Sequence, residues 1–196
     1  MTGAPPSPSV PAETLKRSRR TLLLIAIVTI APVVASYATY YFFPREKRAN
    51  HGDLLETRAA PEVVGSMADG MPFRLSELRG KWVLIVATDG PCDARCAHAL
   101  YAMRQARTMQ GREQERIARV VFIMREAALP ASLLAEHPGL VVAKVADDAM
   151  SNWPAAPDRI YVLDPRGNYV LAFPRAPDIK GLARDLTRLL KASRIG

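Results

Sequence analysis

The chain lacks the residue patterns on which several large enzyme classes depend. It has no G-x-x-x-x-G-K-[ST] loop and no G-x-G-x-x-G turn, so neither glycine-rich phosphate cradle is present. It has no H-E-x-x-H pair and no G-x-S-x-G elbow, which excludes the zincin and α/β-hydrolase signatures. No internal repeat occurs. Histidine is scarce, with three in 196 residues, and cysteine scarcer, with two. The net charge of +8 is not that of a nucleic-acid binder. Residues 1–50 hold seven basic and two acidic groups, and the remainder holds twenty and seventeen. The excess thus flanks one apolar segment, and no RNA-reading aromatic motif accompanies it. No nucleic-acid partner is expected.

That segment is TLLLIAIVTIAPVVASYATYYFF, Thr21 to Phe43, with no charged residue. As a helix of 23 residues it spans about 35 Å at ~1.5 Å per residue, enough for a hydrocarbon core of about 30 Å. Tyr37, Tyr40 and Tyr41 lie at one end, where amphipathic rings favour the interface, and Pro32 introduces a kink. A cleaved signal peptide is the alternative, with Ser36-Tyr37-Ala38 as a poor cleavage site and a run longer than an ordinary signal core. The retained anchor is the reading adopted: a disordered cytoplasmic tail over 1–20, a transmembrane anchor over 21–43, a linker over 44–60 and a folded domain over 61–194. Lys16, Arg17, Arg19 and Arg20 precede the anchor and Arg45, Lys47 and Arg48 follow it, a slight bias for the tail inside.

Within the domain, VVGSMADGMPFRL reads as a hairpin turning at Ala68-Asp69-Gly70, and SELRGK as a short turn. WVLIVAT (82–88) is a continuous apolar run, the pattern of a strand buried on both faces, ARVVFIM (118–124) reads as a second buried strand and LVVAKVA (140–146) as a third. From Asp93 to about Gly111 helix formers dominate, with Ala99, Met103 and Ala106 on one stripe and Leu100 at its edge. LPASLLAEHPG suggests a short helix. RIYVLD and YVLAFP form a strand pair about PRGN, and DIKGLARDLTRLLKAS an amphipathic helix capped by Asp178. The expected architecture is α/β, a mixed sheet with helices on both faces.

Both cysteines fall in VLIVATDGPCDARCAHALYAMRQAR, where the strand gives way to the helix. Residues four apart on a helix share a face with Cβ atoms about 5–6 Å apart, near enough for a disulfide or for two sulfurs to grip one soft ion. A helix N-terminus favours thiolate, and Cys92 is expected there. Metal site, redox pair and structural clip remain open at this point. A clip inside one turn closes too short a loop to add much stability.

The element order resembles the thioredoxin fold, in which reactive cysteines occupy the turn after a central strand and the first turn of the next helix. FRLSELRGKWVLIVATDGPCDARC carries that resemblance most specifically. Ordinary thioredoxins have C-x-x-C; C-x-x-x-C on a membrane-anchored domain resembles the SCO/SenC group, the copper-handling assembly factors of cytochrome c oxidase. The resemblance implies Cys92 and Cys96 as redox-active thiols and as metal ligands, copper as the metal, a terminal-oxidase subunit or another assembly factor as partner, and a bacterial-type inner membrane with the domain in the periplasm. In that family a distant histidine completes the site, in an Asp-His pair before a Tyr-Leu-x-x-Pro strand. Here the strand is IYVLDPRGN; counting back from Tyr161 reaches Ala156, and sliding to the local aspartate gives Asp158-Arg159, with no histidine at either position. Arg159 would be a cation near the vacant ligand position. Pro157 lies about one residue from the cis-proline position of thioredoxins.

Other donors are weaker. His98, two residues past Cys96, points away on a helix. His51 is expected to be mobile in the linker and His137 to be a surface or capping residue. Met67, Met71, Met124 and Met150 are thioether candidates that read more simply as core filler. Asp147-Asp148 reads as loop solvation, Trp82 as core, Trp153 as a loop anchor, and Arg104, Arg107, Arg112, Arg116 and Arg119 as a solvated helix face. Three functions compete: an oxidase assembly factor, a general periplasmic thiol-disulfide oxidoreductase, and a non-catalytic interaction module.

Overall fold

A computed structural model describes residues 12–42, 50–125, 129–154 and 159–193. The chain divides into two compact units, 1–48 and 49–196. The described residues of the first form one helix, α1 (Ala12–Phe42), whose window Arg19–Ala38 is long and apolar enough to cross a membrane. It starts nine residues before the expected Thr21, because Ala12–Arg20 is built of helix formers with no proline among them. Pro32 lies inside it.

The second unit holds eight strands: β1 (Asp53–Leu54), β2 (Val64–Met67), β3 (Pro72–Arg74), β4 (Trp82–Thr88), β5 (Ile117–Ile123), β6 (Leu140–Val145), β7 (Arg159–Leu163) and β8 (Tyr169–Pro174). The helices are α2 (Ala94–Thr108), α3 (Ala131–Ala135) and α4 (Ile179–Ala192), with short 3-10 turns at Leu75–Leu78 and Gly111–Arg116. The sheet order is β1-β8-β7-β4-β5-β6-β2-β3. β4 is parallel to β5 and β5 to β6; the remaining pairs are antiparallel. This is the expected thioredoxin-like mixed sheet. Every residue of β4 is buried. Trp82, Leu84 and Val86 point into one core cluster and Val83, Ile85 and Ala87 into the other, the two-sided burial that its continuous apolar run signals.

Three expectations change. Helices do not cover both faces: among the described residues α2, α3 and α4 all contribute to the first cluster. The second face is filled by Val63, Phe73, Leu75, Met150 and an aromatic group in which Trp153 meets Phe122, Tyr161 and Tyr169 edge-on. Rings of that size close a face without a helix. Second, part of the expected linker is structured. β1 pairs with β8, Ala59 bridges Asn168, and Asp185 of α4 accepts from the backbone N–H groups of His51 (2.5 Å) and Gly52 (3.0 Å). His51 is therefore held on α4; its ring occupies the space a Cβ on Gly181 would need.

Third, the arginines are not a solvated helix face. Of the five, only Arg112 is exposed. Arg119 points from β5 into the interior with 2% exposure, and burial, reinforced by Arg107 and Arg104, lowers its pKa to about 10. Arg107 donates to Ile117 O, and Arg116 to Leu190 O and Ser193 O at the end of α4, where carbonyls lack helical partners. His137 is buried as well, not on the surface. Arg104 and Arg119 donate to Glu136 O and Pro138 O on either side of it, fastening that turn over the sheet.

Candidate functional site

The site lies where β4 ends. Thr88 is buried; its hydroxyl donates to Gly90 O (2.9 Å), and its carbonyl accepts from Met124 N (2.9 Å), so the chain leaves the sheet in a fixed direction. Gly90-Pro91 turns it toward α2. Asp93 is the N-cap: it has extended backbone and its carboxylate accepts from Cys96 N at 2.8 Å. That bond satisfies one of the orphan donors of the first turn. It also holds the Asp93 carboxyl below its usual pKa, helped by Arg175 and Arg95 and opposed by burial.

Cys92 and Cys96 form a disulfide, with Cα atoms 5.2 Å apart. Cys96 is in the first turn of α2, 1% exposed, within the core cluster under the sheet. Cys92 is half-buried and packs against the edge of that cluster. The expectation that Cys92 stands at the helix N-terminus needs one refinement. Cys92 precedes the N-cap, and the amide of Cys96 is already taken by Asp93. The local field at Cys92 therefore combines an adjacent carboxylate with the cations Arg95 and Arg175.

The remaining candidates disperse. His98 is exposed on α2. His51 has its Nδ1 3.5 Å from Asp185 Oδ1 and its Nε2 3.3 Å from Arg184. Burial, then the nearby Arg104 and Arg119, push the His137 pKa down. Met67, Met124 and Met150 belong to the second cluster, on the sheet face opposite Cys96. Met71 is exposed. Asp147 accepts from Arg125 N (2.6 Å), which accounts for the Asp147-Asp148 turn without a metal. Arg159 forms an ion pair with Asp53 and donates to Ala172 O (3.3 Å), so its charge is engaged at the β1–β8 edge. Ala156, Pro157 and Asp158 lie outside the described residues. Among the described residues no three His, Cys, Asp or Glu side chains converge as a metal site.

Two groups escaped the sequence reading. Asp93 carried a usable signal, an aspartate directly before a helical run. Arg175 carried none: it follows β8 and donates to Ala87 O (2.8 Å), reaching the end of β4 from 88 residues away in sequence.

The fold is shared with solved proteins. Yeast Sco1 with copper bound is 18% identical, with 71% of this chain and 96% of that chain covered and a TM-score of 0.57. Apo Sco1 from Thermus thermophilus is 18% identical over 74% of this chain and 99% of that one, with a TM-score of 0.58. The thioredoxin domain of a thiol-disulfide oxidoreductase from Bacteroides vulgatus is 14% identical over 69% and 99%, with a TM-score of 0.53. No curated protein matches the sequence. Residues 82–193, from the first residue of β4 to the end of α4, match the family model of the transmembrane-like, thioredoxin-like C-terminal domain. With the cysteine turn, strands β4 to β8 and α4 inside that match, the chain belongs to the family of transmembrane-like, thioredoxin-like C-terminal domains.

Proposed function

We propose that this protein is a membrane-anchored assembly factor that exchanges disulfides with cysteines of a terminal-oxidase subunit or of another assembly factor. The observation that carries the reading is the unequal exposure of one bonded pair: Cys92 half-buried at the rim and Cys96 sealed in the core. In the reductive direction, the Cys92 thiolate attacks a client disulfide, forms the Cys92–client bond and releases one client thiolate. The Cys96 thiolate then attacks Cys92, forms the Cys92–Cys96 bond and releases the second client thiolate. Two electrons pass to the client, and an external dithiol must re-reduce the pair. Such exchange would keep a client's copper-binding cysteines reduced until copper arrives.

Copper as cargo is the second reading, supported by the fold shared with copper-bound yeast Sco1. The reduced pair would offer Cu(I) two thiolates, a donor set this soft ion accepts. General oxidoreductase activity toward many periplasmic proteins, and a role as an interaction module alone, are the outcomes to be excluded. Anchoring by α1 in a bacterial-type inner membrane, with the domain in the periplasm, belongs to the same proposal.

The test uses full-length protein and two single variants. Cys96→Ser should accumulate mixed disulfides with a small set of membrane partners, and Cys92→Ser should not, because Cys96 is sealed. Equal trapping by both, or by neither, refutes the exchange reading. Anaerobic Cu(I) titration against a competing chelator separates the second reading: tight binding lost in the Cys92→Ser, Cys96→Ser double variant would favour copper delivery.

A further inference from the structure

Every exposed side chain of α4 except Ala192 is cationic: Lys180, Arg184, Arg188 and Lys191. At 100° per residue they lie within about 80° of one another on the helix, a continuous stripe along its length. The single acid within α4, Asp185, is buried at 1% exposure beneath the stripe, with one oxygen 3.5 Å from Arg188. Asp178 caps the start of the helix and is the nearest exposed acid on this element. A solvated helix normally mixes signs at such positions.

The stripe is tied to the N-terminal segment by the Asp185 bonds to the backbone of His51 and Gly52. Seven residues, 43–49, separate Phe42 from Asn50 in the sequence. Arg45, Lys47 and Arg48 in the connecting sequence add to the same charge.

We infer that the cationic face of α4 docks on anionic lipid headgroups of the membrane entered by the N-terminal helix; this rests on the anchor reading above. Basic side chains held at an anionic surface are attracted within a Debye length of it. α2 and α4 both begin at the end of the sheet where β4 and β8 finish. Docking along α4 would thus keep the disulfide rim beside the bilayer, at the height of juxtamembrane cysteines of a membrane client.

Full-length protein in nanodiscs tests this, with acylation of lysine amines read by mass spectrometry. Lys180 and Lys191 report on the stripe; Lys81 and Lys144, exposed elsewhere on the domain, are internal controls. In discs containing phosphatidylglycerol, Lys180 and Lys191 should react several-fold more slowly than in phosphatidylcholine discs, with Lys81 and Lys144 unchanged and the protection lost in high salt. Equal rates in both lipids, or slowing of all four lysines alike, overturns the inference while leaving the anchor intact. Flotation with phosphatidylcholine vesicles in high salt tests the anchor separately; failure to float there overturns the anchor and the docking together.

Discussion

Reducing the disulfide should weaken the domain without unfolding it. Cys92 and Cys96 are four apart in sequence, so the bond closes a ring of five residues. In the chain-entropy account a ring of about five residues removes about 7 cal/mol/K from the unfolded ensemble, or about 2 kcal/mol at 25 °C. One fully buried Leu or Phe side chain contributes about 1.5–3 kcal/mol. The bond is thus equivalent to a single core side chain, whereas two clusters pack on the two faces of the sheet. For a unit of this size the loss corresponds to a fall in Tm of about 4–8 °C. Thermal unfolding of full-length protein, followed by near-UV circular dichroism with and without a dithiol reductant, measures it; the Cys92→Ser, Cys96→Ser variant should match the reduced wild type. Loss of the native spectrum on reduction, or a fall in Tm beyond about 20 °C, roughly 2.5–5 times the expected one, would show a structural clip. It would refute a pair built to cycle.

Asp185→Ala should cost about 2–4 kcal/mol, since it removes the acceptor of two backbone N–H bonds to a charged group. Hydrogen exchange over residues 50–56 should rise, Asp185→Asn should recover most of the protection, and unchanged exchange in the alanine variant would remove the clamp from the account. Stability should fall on acidification: burial lowers the folded-state pKa of His137, so below the unfolded value of about 6.5 the unfolded chain binds more protons. His137→Gln should flatten the fall in Tm between neutral pH and the folded-state pKa, and an equal slope in both proteins assigns the acid sensitivity elsewhere.

What the sequence disclosed and what it hid follow one division. β4 was legible because a strand buried on both faces writes itself as an unbroken apolar run, β5 because VVFIM follows its one charge, and α4 because Leu182, Leu186 and Leu190 recur at helical spacing on its buried side. The cysteine turn was legible because spacing alone brings residues four apart together. The failures inside the sheet unit are mostly long-range. β1 is two residues long, and its place depends on Asp185, more than 130 residues away. Arg119 is a charge near the start of ARVVFIM; its chain position is that of a strand, but only the helices packed above show that it points inward. His137 stands among Glu136, Pro138 and Gly139, a surface-like neighbourhood, and is buried because Arg104 and Arg119 fasten that turn down.

The same distinction bears on the chemistry of the cysteines. A metal reading with a third protein donor needs one brought from elsewhere in the fold, and several described candidates are committed to other places: His51 to α4, His137 to the interior, Met124 and Met150 to the opposite face of the sheet. Disulfide exchange asks only for what one turn supplies, two sulfurs that can bond and that differ in access. β4 fixes the direction of the turn, Asp93 fixes the start of α2, and α2 buries the second sulfur while leaving the first at the rim. In the proposed exchange a client would then meet only Cys92, and Cys96 would act only on the bond that Cys92 had formed. The order of the two steps would follow from the burial of the pair, with no further residue required to impose it.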